Sequence, residues 1–205
     1  MSRASLVLMA GLALGWVLPA HAGGPPPAPD AKALITPQVM KTIRGWLDTE
    51  IVRLSVKTQN QRYGALSQAE IDALDQQWVA EREVDDKPLI AATLSNPLSV
   101  YLSRMQGRSA GLFVEIFVMD DKGLNVGQSS ITSDFWQGDE AKYEKTFPVS
   151  PDAVFIDEPE WDNDIHVWRA QVNFTLTDAD GRTPIGAATV EVNLTELERR
   201  QVAGS

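Results

Sequence analysis

Residues 166–177 read HVWRAQVNFTLT. Trp168, Ala170, Val172, Phe174 and Leu176 alternate with Arg169, Gln171, Asn173 and Thr175. That period of two describes a strand with one apolar and one polar face. Asp178-Ala179-Asp180-Gly181 has turn chemistry, so the chain returns as a last strand over 185–193. The same period begins after Gly111. LFVEIFVMD (112–120) reads as a strand closed by the tight turn Asp120–Gly123, and 124–130 pairs back on it. With a third strand over 153–157, these segments predict an antiparallel sheet of about five strands built from two hairpins.

Upstream of Gly111 the apolar period is that of a helix. Thr36-Pro37 combines an N-cap residue with Pro at the first helical position. Ile35, Val39, Ile43, Trp46, Leu47, Ile51 and Leu54 follow at three- and four-residue steps, which predicts one long amphipathic helix over 36–62. Ser67-Gln68-Ala69-Glu70 is a capping box, with Leu66 and Ile71 placed as a hydrophobic staple, and it opens a second helix carrying Leu74 and Trp78. Asn96-Pro97 opens a third, carrying Leu98, Tyr101, Leu102 and Met105. A short helix starts near Thr195. Helices and strands are segregated along the chain, so the fold class is α+β: a long N-terminal helix and two shorter ones packed on the sheet.

The ends and the composition bound the function. Arg3, the apolar run 6–18 and Ala20-His21-Ala22 form a secretory signal peptide over 1–22. A Pro/Gly-rich linker over 23–35 follows, then a single domain over 36–197 and a tail over 198–205. The expected location is the periplasm. The 205 residues contain no Cys, which removes disulfides, thiolate nucleophiles, Cys metal sites and a lipid-acceptor Cys. A net charge of −10 argues against nucleic acid or an anionic membrane as partner. After cleavage His166 is the one remaining histidine, insufficient alone for a Ser-His-Asp triad or a zinc site. No GxGxxG, P-loop, HExxH or GxSxG is present. No enzyme, cofactor or metal is expected.

Between the hairpins lies a long connection, 131–152, whose centre is SDFWQGDEAKY (133–143). Loops of that length are functional or disordered. One containing Phe135, Trp136, Tyr143 and Phe147 has apolar area to bury and should fold over a sheet face. EIFVMDDKGLNVGQSS (115–130), TSDFWQGDEAKY (132–143) and the terminal hairpin DADG…IGAATVEVN, behind a long N-terminal helix, resemble the Cache (PAS-like, PDC-type) extracytoplasmic sensor domains of bacteria. The resemblance covers about 36–197. It implies a long helix on one face of the sheet and a small ligand against the other, under the loop joining the second and third strands. Carried over by position, it puts Trp136, Asp139 and Tyr143 in that pocket loop, with Arg169 and Gln171 on the polar face of the fourth strand. Cache domains normally continue into a membrane helix and an output domain, and this sequence has neither, so binding is expected here and autonomous signalling is not.

The residues themselves allow competing roles. Of Phe135 and Trp136, adjacent in an extended backbone, one anchors in the core while the other, Trp136, faces the pocket. Asp139, Glu140 and Lys142 suit either a solvated helical turn or a carboxylate rim that binds an ammonium. A covered Arg169 needs an anion, from Glu191 or from a ligand carboxylate; Arg104 and Arg108 are weaker candidates for the same role. Glu115 interrupts an apolar strand beside Phe113, Phe117 and Met119, so it must pair or line a polar cavity. DEPEWDND (157–164) has Ile165 where a calcium loop of the EF type needs Gly, and reads as an acidic hairpin loop. The first functional reading is a module that recognises a small polar metabolite, a carboxylate or amino acid, under 131–152 and reports to a membrane-bound receptor or kinase. The second is a ligand-free scaffold whose 36–62 helix pairs with a partner or a second copy. A void too small for a metabolite, filled by Phe135 or Trp136, would favour the second.

Overall fold

Residues 24–204 are described by a computed structural model; the expected signal peptide lies outside them. The expected helix over 36–62 is two helices, α2 (Pro37–Leu47) and α3 (Glu50–Tyr63), preceded by a short α1 (Ala31–Leu34). Thr36 caps α2 by accepting from the Val39 N–H at 3.4 Å. The break at Asp48-Thr49 has a packing cause. Leu47 and Val52 are both fully buried, yet five residues apart they would sit about 140° apart on one continuous helix. Two helices let both face the sheet. Leu54, counted on the expected stripe, is instead 63% exposed.

The second helix, α4 (Gln68–Arg82), carries the capping box as read: the Ser67 N–H donates to Glu70 Oε2 at 2.8 Å. Its buried stripe runs Ile71, Trp78, Glu81. Glu81 caps the next helix, α5 (Pro88–Leu94), which has no apolar signature long enough to announce it. Glu81 accepts from the backbone N–H groups of Leu89 and Ile90 at 3.1 and 2.9 Å. Asn96 then caps α6 (Pro97–Arg108).

The strands are β1 (Phe113–Met119), β2 (Asn125–Gln128), β3 (Val154–Ile156), β4 (Glu160–Asp162), β5 (Val167–Thr177) and β6 (Pro184–Asn193). All pairs are antiparallel, in the order β2-β1-β6-β5-β3, with β4 also on β5. The α+β, PAS-like architecture read from the sequence is the one observed. It carries one strand more, because the acidic run 157–164 contains β4, where Trp161 pairs with Trp168. His166 sits exposed in the turn before β5 at φ 55°, its ring edge-on to Trp161.

Between helices and sheet lies the main core. Ile43, Leu47, Val52, Val56, Leu98 and Leu102 pack on Ile116, Val118, Val172, Phe174, Val190 and Val192. Both ends of the domain reach further than the sequence suggested. Ala31 and Ile35, within the expected linker, belong to this core, and the Trp168 indole donates to the Pro26 carbonyl at 3.0 Å. The terminal helix α8 (Leu194–Gly204) includes most of the expected tail, and its Arg200 donates to the carbonyls of Ser109 and Ala110.

Candidate ligand-binding cleft

The face of the sheet turned away from the helices is polar at one end and apolar at the other. Ladder register aligns Glu115 with Glu191 and Glu191 with Gln171, so three adjacent strands contribute one polar row. Arg169 extends it. Its guanidinium lies 3.1 Å from Glu191, 3.5 Å from Asp162 and 3.8 Å from Glu160. Ser130 Oγ donates to Glu115 at 2.8 Å. Beyond this row, Phe117, Met119 and Ala187 form a small apolar cluster.

A lid covers the apolar end. It is the single turn α7 (Ala141–Glu144) with the residues after it. Tyr143 and Phe147 stack with centroids 5.5 Å apart and pack on the Phe117 cluster, while the Tyr143 hydroxyl donates to the Asp121 carbonyl at 2.6 Å. Burial, with Asp120 and Asp121 nearby, pushes that phenol well above its ordinary range. Beside the lid an open cleft of about 380 Å³ lies between Glu140–Lys142, Asp157–Glu160 and the Arg169, Gln171 and Glu191 of the sheet. Five carboxylates and two basic side chains line it.

Two carboxyls of the polar row are raised above their ordinary range. Desolvation raises the Glu115 carboxyl above its usual range, Ser130 pulls it back, and Glu191 raises it further. Desolvation also raises Glu191, and Arg169 offsets this only in part. A carboxylate held in that state gains when a positive group approaches. Three buried donors have no partner among the described residues: Arg169 Nε, Thr175 Oγ1, and Nε2 of the fully buried Gln128, which stands opposite Phe117 in the ladder.

Of the residues read as site candidates, Glu115, Arg169 and Gln171 share this face, and Tyr143 lies over its apolar end with its hydroxyl engaged. Asp139 is exposed before the lid turn, for which Glu140 holds the N-cap position. Trp136 is elsewhere. Its backbone bridges to Leu124, its indole donates to the Lys122 carbonyl at 2.8 Å, and it packs on the cluster of Ile71, Trp78, Ile90, Leu124 and Phe135. Both aromatics are anchors, because Asp75 on α4 accepts from both of their backbone N–H groups. Sequence reasoning gave Lys142 to the lid turn and Glu191 to Arg169 without placing either in a cleft, and it missed Gln128. A glutamine ending the short hairpin strand Asn125–Gln128 was the available signal.

No protein-family model matches the chain, and neither does any curated protein. Solved structures do. One is the ligand-binding domain of the Pseudomonas aeruginosa PAO1 amino acid chemoreceptor PctC in complex with GABA, at 16% identity and TM-score 0.35, covering 80% of this chain and 61% of that one. The sensory domain of the Campylobacter jejuni chemoreceptor Tlp3 matches at 13% identity and TM-score 0.39, covering 82% and 65%. The V. cholerae histidine kinase DctB sensor domain matches at 13% and 0.36, covering 79% and 58%. The chain thus spans about three fifths of the length of these structures. All three are sensory or ligand-binding domains of chemoreceptors and a histidine kinase.

Proposed function

We propose that this chain is an exported small-molecule sensor module, which holds a small polar metabolite in the cleft beside α7 and passes occupancy to a partner protein. The observation that carries this reading is that Glu191, Gln171 and Arg169 line an open cleft beside a one-turn lid, with Glu115 next to Glu191 in the ladder. Phe135, buried, and Trp136, half-buried, pack with α4 and α5 and do not line that cleft. The lining favours a ligand that presents an ammonium, an amine or amino acid, over a simple carboxylate. Arg169, the natural partner of a carboxylate, already has three acidic neighbours. A thermal-shift screen against amines, amino acids and organic acids tests this. Stabilisation by ammonium-bearing compounds is the expected result, and a screen in which nothing stabilises the protein contradicts it.

One observation favours the scaffold reading: Leu54 stands exposed on α3 in a shallow groove with Ile51 and Val126. Light scattering that finds a dimer in wild type and a monomer in Leu54→Lys would support it.

A further inference from the structure

We propose that the Lys142 ammonium is the built-in occupant of a cation subsite in this cleft, and that the ligand class is a small primary ammonium carrying a hydroxyl or carbonyl acceptor. This rests on the reading of the cleft as a ligand site.

Lys142 belongs to α7, and its side chain is only 12% exposed. Its Nζ lies 2.9 Å from Glu140, 3.1 Å from the side-chain oxygen of Gln137 and 5.4 Å from the centre of the Phe117 ring. A carboxylate, an amide oxygen and an aromatic face are the partners that recognise an alkylammonium ligand. Here a side chain of the lid fills that role. The arrangement is also easy to vacate. Glu140 is more than a third exposed, so its ion pair is weakly stabilising, while holding a lysine side chain in one conformation costs entropy.

A second observation, independent of these charges, defines what Lys142 leaves unmet. Gln128 is fully buried on the same sheet face, opposite the ring that Lys142 covers, and its Nε2 has no acceptor among the described residues. An ammonium has donors only, so Lys142 cannot satisfy it. The proposed ligand replaces the ammonium and directs an oxygen acceptor at Gln128 Nε2, as an amino alcohol can. A buried donor left unpaired is costly, which makes that oxygen a selective feature.

The test is chemical rescue. Lys142→Ala removes the occupant and opens room for its chain. Propylammonium and ethanolamine should each stabilise this variant saturably, ethanolamine at the lower concentration, while propionate does nothing. Wild type should require at least tenfold more of either amine. In the double variant Lys142→Ala with Gln128→Leu, the advantage of ethanolamine should vanish. Should Lys142→Ala not fold, Lys142→Met titrated with methylammonium against acetate tests the ammonium position. The inference is overturned if the variant responds to amines no better than to propionate, or if variant and wild type respond at equal concentrations. Rescue of the variant, alongside a wild type that binds no metabolite in the screen, would keep Lys142 as occupant and defeat the sensor reading.

Discussion

Trp136 donates its indole N–H to the carbonyl oxygen of Lys122 at 2.8 Å, which fastens the first half of the 131–152 segment to the β1–β2 turn. The ring lies against Gly138, where an added Cβ would meet the indole nitrogen and stand 2.8 Å from the same carbonyl. Gly138→Ala is therefore expected to cost about 1–3 kcal/mol by overpacking. Trp136→Phe should cost about 1–3 kcal/mol by leaving the carbonyl unpaired. Denaturant unfolding measures both, and neither should change amine binding in the cleft.

Phe135 faces the other way and stacks on Trp78 at 5.3 Å between centroids, both fully buried. Phe135→Ala should cost roughly 3–5 kcal/mol. Chemical denaturation of that variant should show a lower midpoint with the cooperativity of a single transition.

Arg169 neutralises Glu191, whose side chain is only 6% exposed. Removing the guanidinium would leave a buried charge unpaired. The fully buried limit is about 3–5 kcal/mol, and because Arg169 is itself about a third exposed the expected loss for Arg169→Gln is nearer 1–3 kcal/mol. Circular-dichroism melts at successively lower pH check this, with the loss shrinking as Glu191, raised by desolvation, takes up a proton.

Stability should pass through a maximum in mild acid. Glu115, Glu191 and Asp120 have carboxyls raised chiefly by desolvation. The fold binds their protons more tightly than the unfolded chain does, so it gains stability as pH falls from neutral toward the ordinary carboxylate range. Glu81 is opposite in sign. Burial alone would raise it, but donors from Ile90, Gln77 and Leu89 outweigh that and hold it below its ordinary range. Its contribution is complete above the ordinary range and is lost as pH falls through the depressed value. Glu115→Gln should keep or raise stability at pH 7 and flatten the slope between pH 7 and 5, as thermal melts across that range will show.

Local chemistry was legible in the sequence; long-range partnership was not. The Thr36 and Asn96 caps, the Ser67–Glu70 box and the Asp120–Gly123 turn need only neighbours within four residues, and each forms as read. The alternation of β5 correctly separated Arg169 and Gln171 from the core side. The break between α2 and α3 was written in the five-residue step from Leu47 to Val52, but counting Ile51 and Leu54 concealed it. The place of Trp136 depends on Asp75 and Lys122, and that of α5 on Glu81, none of which a periodicity can supply. Within the site, residue types on one strand were readable, whereas the row Glu115, Glu191 and Gln171 exists only through register.

Calorimetric titration of wild type and Glu115→Gln with ethanolamine tests the central claim, an ammonium-selective cleft on this sheet face, most directly. The account predicts saturable one-to-one binding to wild type, weakened roughly tenfold or more, about 1.4 kcal/mol, in Glu115→Gln. Absence of binding, or equal affinity in the two proteins, would contradict it.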